Sequence, residues 1–320
     1  MAGRAARSDG RQILSRRGAL CALVALTPGA AFAQAKARLR VGITSDDAAA
    51  EPLYAQQLGY FRDAGLDVDL QVLANGGEIL SGLSAGALDI GSANLLTVVT
   101  AFRKGVPLRI VAPAAVYDGT VPQVAVVVPL GSPIHSAKDL EGKTVATNPV
   151  RGISAIATDQ WMRKNGADPS TVKWVEMPRG AMGAALQQGH IDAATMTEPA
   201  MTINKPTTRL LVAPYTAVAP RFLTVVFSAT AAWAEAHPEA IAAFAGVMRR
   251  TATWANANPA ASGAILAQRS EISPALIGQM QRVKYDPALV PAEVQPCIDL
   301  AASGKLIDAA FPAAELIFHK

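Results

Sequence analysis

Residues 83–89 read LSAGALD and residues 186–192 read LQQGHID, so Leu, Gly and Asp recur at identical spacing with an offset of 103. In each stretch the glycine suits the left-handed position that ends a helix, and the Leu or Ile two residues later begins a buried strand. The Asp that follows can bond the backbone of the turn. The first strands of the two series, which end in Thr44 and Thr147, keep the same offset. We therefore predict a duplicated α/β lobe.

The sequence around these two stretches alternates short β-like runs with longer helical patterns. This alternation is typical of a parallel sheet covered by helices on both faces. We predict strands at 39–44, 67–73, 88–91, 108–113, 143–147, 172–177 and 191–196. We predict helices at 51–62, 77–85, 95–104, 154–165, 182–188, 238–256, 260–268 and 291–303.

Two stretches punctuated by proline, residues 114–123 and 213–224, are suited to carry the chain between lobes. Two crossings return the carboxy-terminal part to the first lobe and make a hinge. The predicted organisation is a first lobe of residues 34–116 and 222–320 and a second lobe of residues 117–221.

The amino terminus has the pattern of an export signal. Five arginines precede or flank an apolar run at 18–32, which ends in the A-x-A sequence of residues 31–33. The run is shorter than a bilayer span, so we expect cleavage after residue 33. The pair Arg16-Arg17 before the run fits a twin-arginine signal, but such pairs also occur in ordinary signals, and both routes stay open. Cys21 follows Leu20 rather than a small residue, which argues against a lipid anchor.

Removing residues 1–33 changes the electrostatic interpretation. The segment holds five of the 29 Lys and Arg and one of the 25 Asp and Glu, which leaves 24 of each in the remaining chain. A net charge of zero gives no support for binding to nucleic acid or to a membrane surface. Cys297 is then the only cysteine, so no intramolecular disulfide forms. The chain is long enough for its buried core to stabilise the fold without one.

Four segments together resemble one family. They are LGYFRDAGLDV at 58–68, SAGALDIG at 84–91, DLEGKTVA at 139–146 and TEP at 197–199. In order and spacing they resemble the periplasmic substrate-binding proteins of ABC transporters, in the class for sulfonate, nitrate, taurine and thiamine pyrimidine. The resemblance implies a type II periplasmic-binding-protein fold, with two α/β lobes joined by a two-crossing hinge. It also implies a periplasmic monomer that delivers a small solute to an ABC permease and ATPase complex.

A ligand of such a fold is expected beyond the carboxyl ends of the strands. The candidate ligand-binding residues there are Ser45, Asp46, Asn75, Gly76, Ser92, Asn94, Arg151, Gly152, Ser154, Thr197 and Glu198. Several of them open helices, whose free N–H groups and positive dipole ends attract acid oxygens. The plain alternatives are helix capping for the Ser, Asn and Asp side chains, ordinary turns for the glycines, and a solvated rim charge for Arg151.

Two tyrosines and the charged residues near the strand ends give indications of the ligand's chemistry. Tyr54 and Tyr117 are placed to flank a flat ligand, with surface packing as the alternative. Helix starts and Arg151 suit a small organic anion such as an alkanesulfonate, whereas Asp46, Asp47 and Glu198 suit the amines of an aminopyrimidine. We favour the anion.

No chemistry-bearing constellation stands out. The four histidines are scattered without metal-ligand spacing, and no nucleophile elbow, Walker loop or dinucleotide motif is present. We expect no cofactor, no metal and no enzymatic activity. The alternatives are an enzyme on the same fold, with a cleft carboxylate as acid or base, and a periplasmic receptor domain.

Overall fold

The computed structural model describes residues 38–319. The export signal predicted at residues 1–33 lies outside the described residues. None of the helices within 38–319 is long and apolar enough to cross a membrane.

The described chain alternates strands and helices. The strands are β1 Arg38–Ile43, β2 Asp67–Val72, β3 Ile90–Asn94, β4 Leu108–Pro113, β5 Ala115–Tyr117, β6 Ala125–Pro129, β7 Thr144–Thr147, β8 Lys173–Glu176, β9 Ala193–Met196, β10 Thr208–Val212, β11 Phe222–Leu223, β12 Val225–Thr230 and β13 Lys284–Tyr285. The helices are α1 Glu51–Gln57, α2 Tyr60–Asp63, α3 Gly76–Ser84, α4 Leu95–Arg103, α5 Ile153–Lys164, α6 Arg179–Gln187, α7 Ala200–Asn204, α8 Ala231–Ala236, α9 Pro238–Ala257, α10 Pro259–Arg269, α11 Pro274–Ile277 and α12 Pro291–Ser303.

Two five-stranded sheets share one plan. The first has the order β2-β1-β3-β12-β4 and the second the order β8-β7-β9-β6-β10. In each sheet the first three strands are parallel, and the fourth, β12 or β6, is antiparallel to both of its neighbours. The fourth strand comes directly after a crossing between the lobes. The sequence predicted fully parallel sheets, and this prediction is wrong for the fourth strand of each sheet. The predicted duplication is confirmed, and it includes the order and direction of the strands.

The two crossings lie side by side as paired strands. Phe222 of β11 lies opposite Tyr117 of β5, and Leu223 lies opposite Val116, in antiparallel register. The short strand β13 pairs with the other edge of β5. Two α/β lobes joined by two crossings are thus present. The residue bounds given for the lobes stay a prediction.

The helix predicted at 51–62 is two helices. Gly59 has a φ of +75°, in the left-handed region, and separates α1 from α2. The break turns α2 so that Phe61 packs against Phe244 of α9, with ring centroids 6.1 Å apart. Helices cover both faces of each sheet, which leaves the loops at the strand ends free to form a site.

Candidate functional site

The loop after β1 supplies an exposed acid to the site. The Asp46 carboxylate accepts a hydrogen bond from the Thr44 hydroxyl at 3.0 Å and is accessible to solvent. Burial among surrounding protein atoms nevertheless raises its pKa, while Thr44 and the positive charge of Arg179 act in the opposite direction. Asp46 is exposed just beyond the carboxyl end of β1, at the sheet edge where a ligand of this fold is expected.

Arg179 comes from the other lobe. It is the first residue of α6, directly after the end of β8, and its Nη2 donates to the carbonyl oxygen of Asn148 at 3.4 Å. Its charge acts on Asp46, yet within residues 38–319 it forms no ion pair with a carboxylate. The sequence prediction missed Arg179 because it began this helix three residues later. The sequence does contain an indication of this residue, because Pro178 and Arg179 follow the end of a predicted strand and proline often precedes a helix.

An aromatic cluster lies at the crossings. The ring centroid of Tyr215 is 5.6 Å from that of Tyr117 and 5.3 Å from that of Phe222. Burial raises the pKa of the Tyr215 hydroxyl, and the Ser154 side chain and the charge of Arg179 oppose that shift. Helix α5 packs against the segment 214–217 that holds Tyr215, so α5 and the crossings lie together. Tyr117 is only 2 % exposed, so its predicted role in flanking a ligand is wrong: its ring fills this cluster.

Tyr54 does not reach the cleft either. It is fully buried, and its hydroxyl accepts a hydrogen bond from Arg282 Nη2 at 2.9 Å. The same guanidinium donates to both oxygens of Asp47, at 2.7 and 2.8 Å, and Tyr285 adds a further bond to the Asp47 backbone oxygen. The ligand contact predicted for Tyr54 is wrong because α1 turns this side chain toward the core of the first lobe. Asp47 is likewise fully paired, so its charge is not available to a ligand.

Two predicted residues cap helices. The Asn75 side chain accepts a hydrogen bond from Glu78 N at 3.0 Å, and that of Asn94 accepts one from Leu96 N at 3.0 Å. The capping interpretation is confirmed for both, and a ligand contact by their remaining amide groups stays a prediction. Gly76 lies next to β3, where an added Cβ would be 3.3 Å from that of Ala93.

The serines predicted on the first lobe differ in exposure. Ser45 is exposed beside Asp46, whereas Ser92 is 1 % exposed, and its hydroxyl has no hydrogen-bond partner in the described structure. Ser92 lies in β3 in register with Phe227 of β12, and its predicted ligand contact stays a prediction.

The loop before α5 joins the second lobe to the end of α12. Arg151 is exposed, and its Nη2 donates to the carbonyl oxygen of Lys305 at 3.4 Å. Gly152 precedes α5 as its N-cap, where an added Cβ would come within 2.8 Å of the Pro149 ring. Arg151 thus links this loop to the segment after α12, and the crowding at Gly152 leaves no room for a larger residue.

Glu198 connects the lobes. Its carboxylate accepts hydrogen bonds from the N–H and hydroxyl of Thr202, at 3.1 and 3.0 Å, and from the backbone N–H of Gln281 at 3.1 Å. Gln281 lies between α11 and β13, on the first lobe. Glu198 thus ties the loop after β9 to the opposite lobe, and its neighbour Thr197 is half-buried at the same edge.

A second concave region lies away from the strand ends. It is a groove of about 820 Å³ beside α5, lined by Asp159, Arg163, Trp174 and Lys305 among others. Burial raises the pKa of Asp159 to about 6, against a hydrogen bond from the Trp174 indole. Within residues 38–319 no group of three or more His, Cys, Asp or Glu side chains is arranged to hold a metal ion.

Solved structures share this architecture. The periplasmic aliphatic sulphonate binding protein SsuA from Escherichia coli is 19 % identical, with a TM-score of 0.72 over 88 % of this chain and 92 % of that one. The alkanesulfonate-binding protein SsuA from Xanthomonas axonopodis pv. citri, bound to MOPS, is 20 % identical, with a TM-score of 0.70 over 89 % and 99 %. The desulfurization enzyme DSZB is 13 % identical, with a TM-score of 0.64 over 88 % and 96 %. These likenesses establish the type II periplasmic-binding-protein fold.

The family follows from the sequence itself. The model of the NMT1/THI5-like family matches residues 49–262, about two thirds of the chain, and the protein belongs to that family. A comparison with curated proteins finds no match.

Proposed function

We propose that the protein is the solute-binding component of an ABC importer, which captures a small organic anion between its lobes. The family and the fold support this proposal. So do the names of two similar structures, which bind sulfonates. The remaining support comes from the chemistry of the cleft.

Arg179 is the observation that carries the proposal. Its guanidinium has no carboxylate partner in the described structure, and it lies at the amino-terminal end of α6, where the helix dipole adds positive potential. An exposed arginine without a carboxylate partner at the start of a helix favours an anion with planar or tetrahedral oxygens, which accept its parallel N–H groups.

Capture proceeds by closure of the lobes. Two hydrogen bonds join the predicted lobes: Gln281 N donates to the Glu198 carboxylate, and Arg151 donates to the carbonyl oxygen of Lys305. A ligand that touches both walls adds contacts only when the lobes are close together, so it shifts the hinge equilibrium toward the closed form. The closed surface then docks on the permease and ATPase complex.

The aminopyrimidine alternative has weaker support. A flat ring needs an aromatic face to stack on, and the two tyrosines expected to supply one, Tyr54 and Tyr117, are both buried in packing. Asp46 still offers an acceptor to an amine. The likeness to DSZB keeps an enzyme on the same fold as a second alternative.

The location follows from the same proposal. An importer of this kind collects its solute in the periplasm, so we propose export through the signal at residues 1–33, by either the twin-arginine or the Sec route. The protein then acts as a monomer that meets its permease at the outer face of the inner membrane.

A thermal-shift screen tests the proposal. The purified protein is mixed with alkanesulfonates, nitrate, small carboxylates, aminopyrimidines and nucleobases, and each hit is measured by calorimetry and checked for chemical conversion by mass spectrometry. A ligand at 100 times its Kd stabilises the fold by about 2.7 kcal/mol. We expect an acid-bearing hit that is recovered unchanged. A hit that is converted would make the protein an enzyme, and aminopyrimidine hits alone would support the alternative ligand.

Two arginine variants locate the site. Arg179→Gln removes the cleft cation, whereas Arg163→Gln removes one cation from the groove beside α5 and serves as the matched control. We expect Arg179→Gln to weaken binding at least about tenfold and Arg163→Gln to change it less than about twofold. The reverse pattern would place the ligand in the groove and contradict the proposed site.

A further inference from the structure

Six consecutive residues after α11 contact both predicted lobes and both crossings. We call residues 281–286, which include β13, the hinge segment. The segment pairs with β5, and Asp286 N donates to the carbonyl oxygen of Ala114 at 2.9 Å. Asn256 of α9 forms hydrogen bonds with both backbone groups of Tyr285, at 2.7 and 3.0 Å. The hinge segment is therefore held against the crossings and against α9.

Charged side chains join the hinge segment to each crossing. Lys284 donates to the carboxylate of Asp118, in the first crossing, at 2.9 Å. Two residues later, the buried Asp286 accepts a hydrogen bond from Arg221, in the second crossing. The crossings are the part of a two-lobed protein that bends when the lobes move. Bending of either crossing therefore acts directly on the hinge segment.

The amino-terminal half of the hinge segment connects two loops that belong to different predicted lobes. Gln281 N donates to the Glu198 carboxylate, in the loop after β9, at 3.1 Å. The next residue, Arg282, donates hydrogen bonds of 2.7 and 2.8 Å to the carboxylate of Asp47, in the loop after β1. Val283 N donates to the same carboxylate at 3.1 Å. Because consecutive Cα atoms are fixed about 3.8 Å apart, Gln281 cannot follow Glu198 without displacing Arg282.

Asp47 anchors the loop after β1 to this segment. The Arg282 and Asp47 side chains are only 14 % and 7 % exposed, so their ion pair is shielded from water, and the Tyr285 hydroxyl donates to the Asp47 carbonyl oxygen as well. The two residues before Asp47, Ser45 and Asp46, are exposed and are candidate ligand-binding residues. Where these two side chains lie thus depends on where the hinge segment holds Asp47.

We propose that the hinge segment is a mechanical link that moves the loop after β1 as the lobes close, and that Arg282 is the positioning residue that transmits the movement. Closure and the arrangement of the candidate ligand residues are then one event, and each favours the other. The link rests on lobe closure, which is part of the proposed function, but not on the identity of the solute.

Hydrogen exchange on the purified, ligand-free protein tests the link. The amides of Ala49 and Ala50 close the turn after β1, with hydrogen bonds of 3.3 Å. Glu198→Ala removes the acceptor of Gln281 N in the other predicted lobe, and we expect the two alanine amides to exchange at least about threefold faster. Arg151→Gln is the matched control, because it also removes a hydrogen bond between the predicted lobes but contacts no residue of the hinge segment. It should leave their exchange within about 1.5-fold of wild type.

A double-mutant cycle tests Arg282 itself. Arg282→Lys keeps the positive charge but cannot form the paired hydrogen bonds to Asp47. In this background we expect Glu198→Ala to change the exchange of the same two amides by less than about 1.5-fold. Tyr285→Phe, which removes the hydroxyl that bonds the Asp47 carbonyl, is a second variant for the case that Arg282→Lys does not fold. It should also reduce the response to Glu198→Ala, to below about twofold.

Four results would overturn the link. Faster exchange at Gln281 alone would show that the two loops are independent. An equal effect of Arg151→Gln would show that the loop responds to any loosening between the lobes. A full response to Glu198→Ala in both backgrounds would remove the role of Arg282. Equally faster exchange in the core strand β3 would reveal general destabilisation. Because no ligand is used, each of these results leaves the proposed binding of a solute standing, and a solute screen without hits leaves the exchange result unchanged.

Discussion

The carboxylate of Asp192 accepts a hydrogen bond from the backbone N–H of Thr144 at 2.8 Å. Asp89 accepts the equivalent bond from the N–H of Arg40, also at 2.8 Å, in the first lobe. In both lobes the Asp backbone N–H also donates to the carbonyl of the same partner, at 2.8 and 2.9 Å. Each Asp thus closes a two-bond ring with the strand beside it and fixes where that pair of strands begins.

This ring predicts a loss of stability when the carboxylate is removed. Asp192→Ala leaves the Thr144 N–H without its acceptor, and we expect the free energy of unfolding to fall by about 1 to 2 kcal/mol. Asp192→Asn keeps a side-chain oxygen and should lose less than about 1 kcal/mol. Urea denaturation measures both, with Asp308→Ala as the exposed control. Equal stability of all three variants would show that the bond contributes nothing.

The repeated LxxGx(L/I)D stretch predicted the helix end and the start of the next strand in each lobe, because the Gly and Leu or Ile act within the stretch itself. Gly86 and Gly189 have φ of +69° and +72°, as a left-handed helix end requires. The Asp was expected to bond its own turn, however, and it bonds the neighbouring strand instead. That partner is about 50 residues away in sequence, so no local pattern indicates it.

Tyr54 supplies a test of the corrected site. Tyr54→Phe removes a hydroxyl that contacts Arg282 and Asp47 in the core and lies away from the cleft. We expect a loss of about 0.5 to 1.5 kcal/mol in stability and no change in the Kd of any ligand found in the screen. Chemical denaturation and calorimetry on the same sample provide the two numbers. Weaker binding with unchanged stability would return Tyr54 to the site.

The interlobe contacts of Glu198 predict a binding defect with a specific rescue. Glu198→Ala removes the acceptor of Thr202 N and of Gln281 N, so it frees one helix end and loosens the closed form. We expect ligand binding to weaken by about five- to fiftyfold. Glu198→Gln retains one acceptor oxygen and should bind within about threefold of wild type.

Dissociation kinetics show whether this defect comes from closure. Loss of an interlobe bond should raise the rate of ligand release more than it lowers the rate of association, because the closed form is the one that weakens. An unchanged release rate, with slower association, would mean that Glu198 acts on the open form.

The charges in the cleft were the part least accessible to sequence reasoning. Asp46 and Asp47 are adjacent and alike in sequence, yet Arg282, more than 200 positions away, pairs with only one of them. Arg179 gained its importance because it begins α6 without a carboxylate partner in the described chain, which depends on how distant charges pair. Sequence patterns identified the strand ends, but which charge stays free is decided by long-range pairing.

Glu51 predicts a distinct pH dependence of stability. Its side chain is fully buried at the start of α1, and neither carboxylate oxygen has a hydrogen-bond partner in the described structure. Burial raises the pKa of Glu51 well above its usual range, and the negative charge of Asp286 raises it further. The folded protein therefore holds a proton here that the unfolded chain releases above its ordinary pKa of about 4.3. This contribution to stability is complete below that value and is lost as the pH rises toward the raised pKa, at up to about 1.4 kcal/mol per pH unit.

Replacing Glu51 by Gln removes the ionisable group while keeping its shape. We expect the stability of Glu51→Gln relative to wild type to increase from pH 5 to pH 8, because only wild type must bury a charge or retain a proton at the higher pH. Urea midpoints at pH 5, 6.5 and 8 measure the difference, with the exposed Glu271→Gln as the control for a lost surface charge. A difference that stays constant across this range would mean that Glu51 has the same protonation state in the folded and unfolded chain.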